Sequence, residues 1–222
     1  MSAAVNVAAF GAAFIATHLA LSHPLRAPLA KRLGNAGFQG LYSAIALALF
    51  GGMIWARKGA GAEAWLWQPS APAWIAASLL TWLASVLLVG SFRRNPAMVT
   101  FGPGSEVVIG EPVGVFRITR HPMMWGFALW AAAHTLVHPE PSALVLAGVI
   151  LVMALVGSAA QDVKKRRHLG PAWSEWVART SFVPFGRGIH PPGTFASVGG
   201  TLLWLAATWA HPLPVGLWQW LA

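Results

Sequence analysis

The sequence predicts an all-α, polytopic transmembrane helix bundle of about six spans, and three observations carry that expectation. Of 222 residues, 56% are hydrophobic and only 9% charged, whereas a soluble domain of this length needs far more charge to cover its surface. The apolar residues fall in long runs near the ~20 residues that cross ~30 Å of hydrocarbon. The basic residues fall between those runs, and nearly all of them between alternate pairs.

In chain order the spans are read at 4–22, 38–56, 72–92, 122–138, 142–160 and 197–213. The fourth is short and bracketed by Pro122 and Pro139. Arg26, Lys31 and Arg32 follow the first span; Arg93, Arg94, Arg117 and Arg120 follow the third; Lys164 to Arg167, Arg179 and Arg187 follow the fifth. Only Arg57 and Lys58 lie on the opposite side. Thirteen basic residues against two assign the first side to the cytoplasm and both termini to the other face. The charges follow the first apolar run instead of preceding it, so that run reads as a span and not as a cleaved signal peptide. The last segment, "HPLPVGLWQWLA", is too short and Pro-rich to span again, and its Trp218 and Trp220 suit an interface. No internal repeat or second domain is visible, so residues 1–222 read as one integral membrane domain with cytoplasmic loops at 93–121 and 161–196.

The net charge of +9 follows from this topology and is no argument for nucleic acid; membrane lipids are the expected partners. Residues 93–120 are rich in Gly and Pro with short β-branched runs, which predicts turns and a small hairpin. The segment after the fifth span predicts a helix continuing to Gly170-Pro171, then a short helix with Trp173, Trp176, Val177 and Thr180 on one side. That helix is expected along the bilayer surface, with Lys164 to Arg167 toward anionic headgroups.

There is no cysteine and there are eight histidines. Disulfides, thiolate ligands and CxxC chemistry are excluded, leaving imidazole as the leading donor for a soft or borderline metal. An imidazole inside hydrocarbon is costly, and it serves either an interhelical hydrogen bond or a function. His18 lies inside the first span and His134 inside the fourth, sharing a helix face with Phe127, Trp130 and His138. His121, thirteen residues before His134, sits at the mouth of the fourth span on a different face. Small and aromatic neighbours surround His18 (Gly11, Phe14) and His134 (Trp130, Ala131), and such walls admit a planar macrocycle whose iron takes two axial imidazoles. A bare zinc site needs more ligands than any motif here provides. His23, His168, His190 and His211 read as interfacial or solvated.

Three segments, "THLALSHPLRAPLAKRLG" (17–34), "RITRHPMMWGFALWAAAHTL" (117–136) and "RRHLGPAWSEWVARTSFVPF" (166–185), resemble the NnrU family and its relatives, the plastid zeta-carotene isomerases. "AHPL" (210–213) is a further echo, so the resemblance covers most of the chain. It implies an integral membrane fold holding haem b through two histidines, which fall on His18 and His134 here, as iron ligands and as the residues on which catalysis rests. The isomerase motif runs His-Ser-Gly toward an Arg; here "HLALSHPLR" has another spacing and a second histidine, so His23 rivals His18. Arg26 and Arg120 are the expected partners of the haem propionates, with His121 beside them at the headgroups or the cofactor's charged edge.

The activity this implies is redox-controlled cis–trans isomerisation of an apolar polyene dissolved in the bilayer. NnrU-type proteins are also associated with nitric oxide metabolism and denitrification, which implies a haem protein that senses or transfers electrons. "RHPMMWG" and the basic helix resemble, more distantly, the isoprenylcysteine-type methyltransferases that use S-adenosylmethionine. Those carry a Glu-Glu pair where this chain has Gln161-Asp162. The family implies a bacterial inner membrane, as does a start with no transit-like extension.

Overall fold

The computed structural model describes residues 2–59, 61–96 and 109–221, and it is all-helical among them. The helices are α1 (Ala3–Ser22), α2 (Arg26–Lys58), α3 (Ala71–Gly90), α4 (Pro122–Val137), α5 (Pro141–Leu169), α6 (Pro171–Arg179), α7 (Thr194–Trp209) and α8 (Trp218–Leu221), with a 3-10 turn at Gly114–Arg117. The starts follow from local chemistry. Ser2 accepts a hydrogen bond from the Val5 amide and caps α1, while α3, α4, α5 and α6 each begin with a proline in the first two positions, where its missing N–H costs nothing.

Helices α1, α2, α3 and α5 are long and apolar enough to cross a membrane, which makes this a membrane protein. The other two expected spans are helices as well, but α4 and α7 have sixteen residues each and rise about 24 Å. The second expected span proves to be the middle of a longer helix. "RAPLAKRLG" is helical too, since Ala, Leu, Lys and Arg are strong helix formers, and the break comes at Gly34 (φ 71°, ψ 167°). The expected loop at 161–196 is largely helical, formed by the end of α5 and by α6. Gly170, with φ of 53°, ends one and begins the other. The expected hairpin falls mainly on 97–108, outside the described residues, as does the side chain of Trp220.

Neighbouring helices pack in the order α2, α1, α5, α4, α3, α7. The row curves without substantial α2–α7 packing to close it among the described residues. Direction along it is fixed at both ends. Arg57, at the end of α2, bonds Glu140 at the start of α5 (3.0 Å), and Arg26, after α1, lies within electrostatic range of Lys164 and Lys165 near the end of α5. One face of the bundle is therefore the Arg26 end and the other the Arg57 end.

The core is divided accordingly. Val7, Met53, Leu146 and Val149 join α1, α2 and α5; Ala77, Ala133 and Val137 join α3 to α4. A third cluster, at the Arg26 end, packs Trp173 and Trp176 of α6 against Val86, Leu87, Phe116 and Ile118. The tryptophan face of α6 thus meets protein rather than the bilayer surface, because fully burying two indoles against apolar neighbours removes more apolar area from water than an interface does. Glycines of α4 and α7 lie directly against the backbone of α3. A Cβ on Gly126 would lie 3.0 Å from the Ala84 carbonyl oxygen, and one on Gly200 would fall on the Val86 backbone.

Backbone cannot yield as a flexible side chain does. Gly200→Val is expected to lower stability by about 3 kcal/mol, the upper range for overpacking, whereas Gly148→Val, with open space around it, leaves stability within about 0.5 kcal/mol. Thermal unfolding of both variants in detergent checks the contrast.

Candidate functional site

The concave side of the helix row encloses an elongated, mostly apolar cleft of about 850 Å³. Regular stripes line it. On α3 these are Ala77, Thr81, Ala84 and Leu88; on α4, Gly126, Trp130, Ala133 and Val137; on α5, Ala154, Gly157, Gln161 and Lys164. Each stripe steps three or four residues, the spacing that keeps side chains on one helix face. Small residues there hollow out the middle, while Trp74, Phe127 and Trp130 supply aromatic walls.

Five of the eight histidines line this cleft: His18, His23, His134, His138 and His211. His18 stands about one turn before the end of α1, its ring 4.2 Å from Phe14 and edge-on to Tyr42 at 5.0 Å. His134 stands about one turn before the end of α4. Its ring stacks on Trp130 at 3.8 Å, and Nδ1 lies 2.8 Å from the Trp130 carbonyl oxygen. A carbonyl only accepts, so Nδ1 carries the proton and the neutral ring's Nε2 is left with its lone pair.

The two residues approach from opposite ends of the cleft, on helices α1 and α4 with α5 between them in the row. In a helix the side chain leans toward the N-terminus, so each ring leans toward mid-cleft, over the residue four positions back. The His134 ring is oriented by its own helix through Nδ1, as ligating histidines are, and His18 brings a second imidazole to the same cleft, a donor pair of the kind that suits a group held by two histidines. Among the described residues no group of three or more His, Asp or Glu could hold a bare metal ion.

His138 is differently employed. Its Nε2 accepts from Arg57, which also bonds Glu140, and Trp65 donates to the same carboxylate (3.3 Å). His23 and His211 are exposed at opposite ends of the cleft yet reach its lining.

Arg120 and His121 are not among the residues that line the cleft. Arg120 donates from Nε and Nη2 to Asp162 Oδ2 (2.8 and 2.6 Å), and His121 Nε2 lies 2.9 Å from Oδ1 of the same carboxylate. The His121 side chain is fully buried, and its Nδ1 has no hydrogen-bond partner among the described residues. Expected beside headgroups or a cofactor's charged edge, both residues are paired with Asp162 in the structure. Asp162 on α5 faces the start of α4 at close range, and a buried carboxylate takes two cationic or donor groups before any solvent. Around it, Thr119 Oγ1 and Trp125 Nε1 both donate to the Phe182 carbonyl (2.7 Å each), Arg120 stacks over the Phe182 ring at 5.3 Å, and the Arg120 amide donates to the Ser181 carbonyl (2.8 Å). The "TRHP" and "TSFVPF" segments are one knot. Asp162, the single carboxylate at the place of the methyltransferase pair, is engaged here and not in the cleft.

Lys164 and Gln161 were not singled out by sequence reasoning, although the 154, 157, 161, 164 spacing on α5 marks them as cleft-facing. The run Lys164 to Arg167 is split: Lys164 lines the cleft, Lys165 is buried and donates to the Pro96 carbonyl (3.0 Å), and Arg166 and Arg167 are exposed.

The fold and site define a class: a helical membrane protein with an apolar cleft into which histidines from separate helices project. A family model described as NnrU protein matches residues 7–219, and the chain belongs to the NnrU family. Over 111 residues it is 33% identical to a protein named 15-cis-zeta-carotene isomerase, chloroplastic, from Zea mays, the match covering 45% of this chain and 30% of the relative. Over 114 residues it is 31% identical to the protein of the same name from Arabidopsis thaliana, covering 46% and 31%. The matched stretch is thus under a third of each relative. No solved structure matches.

Asp162→Ala leaves Arg120 and His121 buried without their partner and should cost about 3–5 kcal/mol. Asp162→Asn keeps an acceptor oxygen and should cost less. Unfolding in detergent measures both; equal stability of Asp162→Ala and the parent would contradict a structural role for the knot.

Proposed function

We propose that this protein is a haem-b-dependent isomerase of an apolar polyene, an integral protein of a bacterial inner membrane with its Arg26 end in the cytoplasm. The observation that carries the reading is one apolar cleft lined by His18 and His134 from separate helices, the His134 ring tied to its own helix through Nδ1. The names of the two relatives supply the reaction type, and the excess of basic residues at the Arg26 end supplies the orientation.

The chain's residues do the following in this account. The small stripes of α3, α4 and α5 let an extended conjugated chain lie along the helices, and aromatic side chains flank it. The gap in the helix row admits a substrate dissolved in the bilayer. Packed apolar walls keep water from the reacting bond, so no proton or hydroxide competes with rotation. His18 and His134 are the residues that would hold the cofactor. Haem b would supply a redox-switchable iron that withdraws electron density from a conjugated double bond and so lowers the barrier to its rotation.

The test is conversion of 15-cis-zeta-carotene in vesicles containing the purified protein, resolved by chromatography of the isomers. The reduced protein should convert the cis isomer faster than protein-free vesicles, and His18→Ala and His134→Ala should each fall to that background. His138→Ala, whose ring belongs to the Arg57 network, should retain activity. Absence of conversion by reduced, haem-loaded protein would refute the isomerase reading.

A further inference from the structure

The Arg26 end of the cleft differs chemically from its middle. Lys164 projects into it from α5, half-buried. The Arg26 guanidinium, stacked over Phe38 at 5.5 Å, lies close enough for the two like charges to repel. His23 reaches the same end with Nδ1 3.2 Å from the Leu19 carbonyl oxygen, and the Ser22 and Tyr42 hydroxyls are paired beside it (3.4 Å).

No acid answers these charges among the described residues. Asp162, two positions from Lys164 on the same helix, is turned to Arg120 and His121. Glu63 and Glu140 are bound at the opposite end to Ser142 and Arg57, and Glu111 pairs with Arg179. An ammonium projecting into an apolar cleft is expensive unless an anion meets it.

From this juxtaposition we infer that the Arg26 end is a binding subsite for the anionic end of an elongated apolar molecule, with Lys164 as the direct contact and Arg26 as the supporting charge. The ligand chemistry is a carboxylate or phosphate on a long or planar hydrocarbon body. The propionates of a haem and the end group of a charged polyene or lipid share that chemistry. A carotene has no such group, so the subsite selects either the cofactor or a charged amphiphile, and it stands whether or not the cleft isomerises carotene.

The experiment compares charged and neutral forms of one body. Purified protein in neutral detergent is titrated with haem b and with its dimethyl ester, followed by the Soret band. In parallel it is titrated with a polyene monocarboxylic acid and its methyl ester, followed by quenching of tryptophan fluorescence. In at least one pair the acid should bind at least about tenfold more tightly than the ester. Lys164→Gln should remove that preference while leaving ester binding unchanged, which also shows that the cleft is intact; Arg167→Gln, at an exposed position, should leave it in place. A preference confined to the haem pair assigns the subsite to propionates, and one confined to the polyene pair assigns it to a charged amphiphile. Equal binding of acid and ester in both pairs, or a preference that survives Lys164→Gln, would overturn the proposal. Loss of carotene conversion with the charge preference intact would count against the isomerase reading alone.

Discussion

An imidazole placed in hydrocarbon must find partners for two ring nitrogens, and its own helix can satisfy only one of them. That constraint organises this molecule. His134 uses the Trp130 carbonyl, which leaves its other nitrogen to the cleft that it and His18 both line. His138 shows the alternative: its Nε2 is taken by Arg57, within a network that ties the end of α2 to the start of α5. His134 and His138, one turn apart, thus differ in whether a residue of another helix takes up a ring nitrogen.

The cleft exists because the helices that border it carry small residues toward each other and toward it. Gly126 and Gly200 bring α4 and α7 onto the backbone of α3, and the six long helices form a curved row without substantial packing to close it. At the Arg26 end, the Arg120–His121–Asp162 knot and the buried tryptophans of α6 fix the starts of α4 and α6 to the end of α5. Rigid anchoring at that end and an open side wall suit a site entered from the bilayer, and they leave Lys164 as a charge directed inward.

Much of this was legible in the sequence. Apolar runs of span length gave all six long helices, and Gly170-Pro171 marked the boundary between α5 and α6. The shared face of Phe127, Trp130, His134 and His138 followed from helical periodicity and is the cleft face of α4. What escaped was set by tertiary contacts. Arg120 and His121 looked interfacial because charge and position in a span say nothing of Asp162, forty-two and forty-one residues away. The run Lys164 to Arg167 looked uniform because composition does not resolve the faces of a helix, one of which enters the cleft while another reaches Pro96. The helical stretch before Gly34 was missed because a basic segment that breaks hydropathy can still be helical, the chain kinking only at Gly34.

The central claim is that His18 and His134 together hold one group at mid-cleft. Its most direct test is the electron paramagnetic resonance spectrum of the oxidised, haem-loaded protein beside its His18→Ala and His134→Ala variants. The account predicts a low-spin signal of two imidazole ligands in the parent, converted to a high-spin signal when either histidine is removed. A parent that takes up no haem, or a low-spin signal that persists without His18 or without His134, would contradict it.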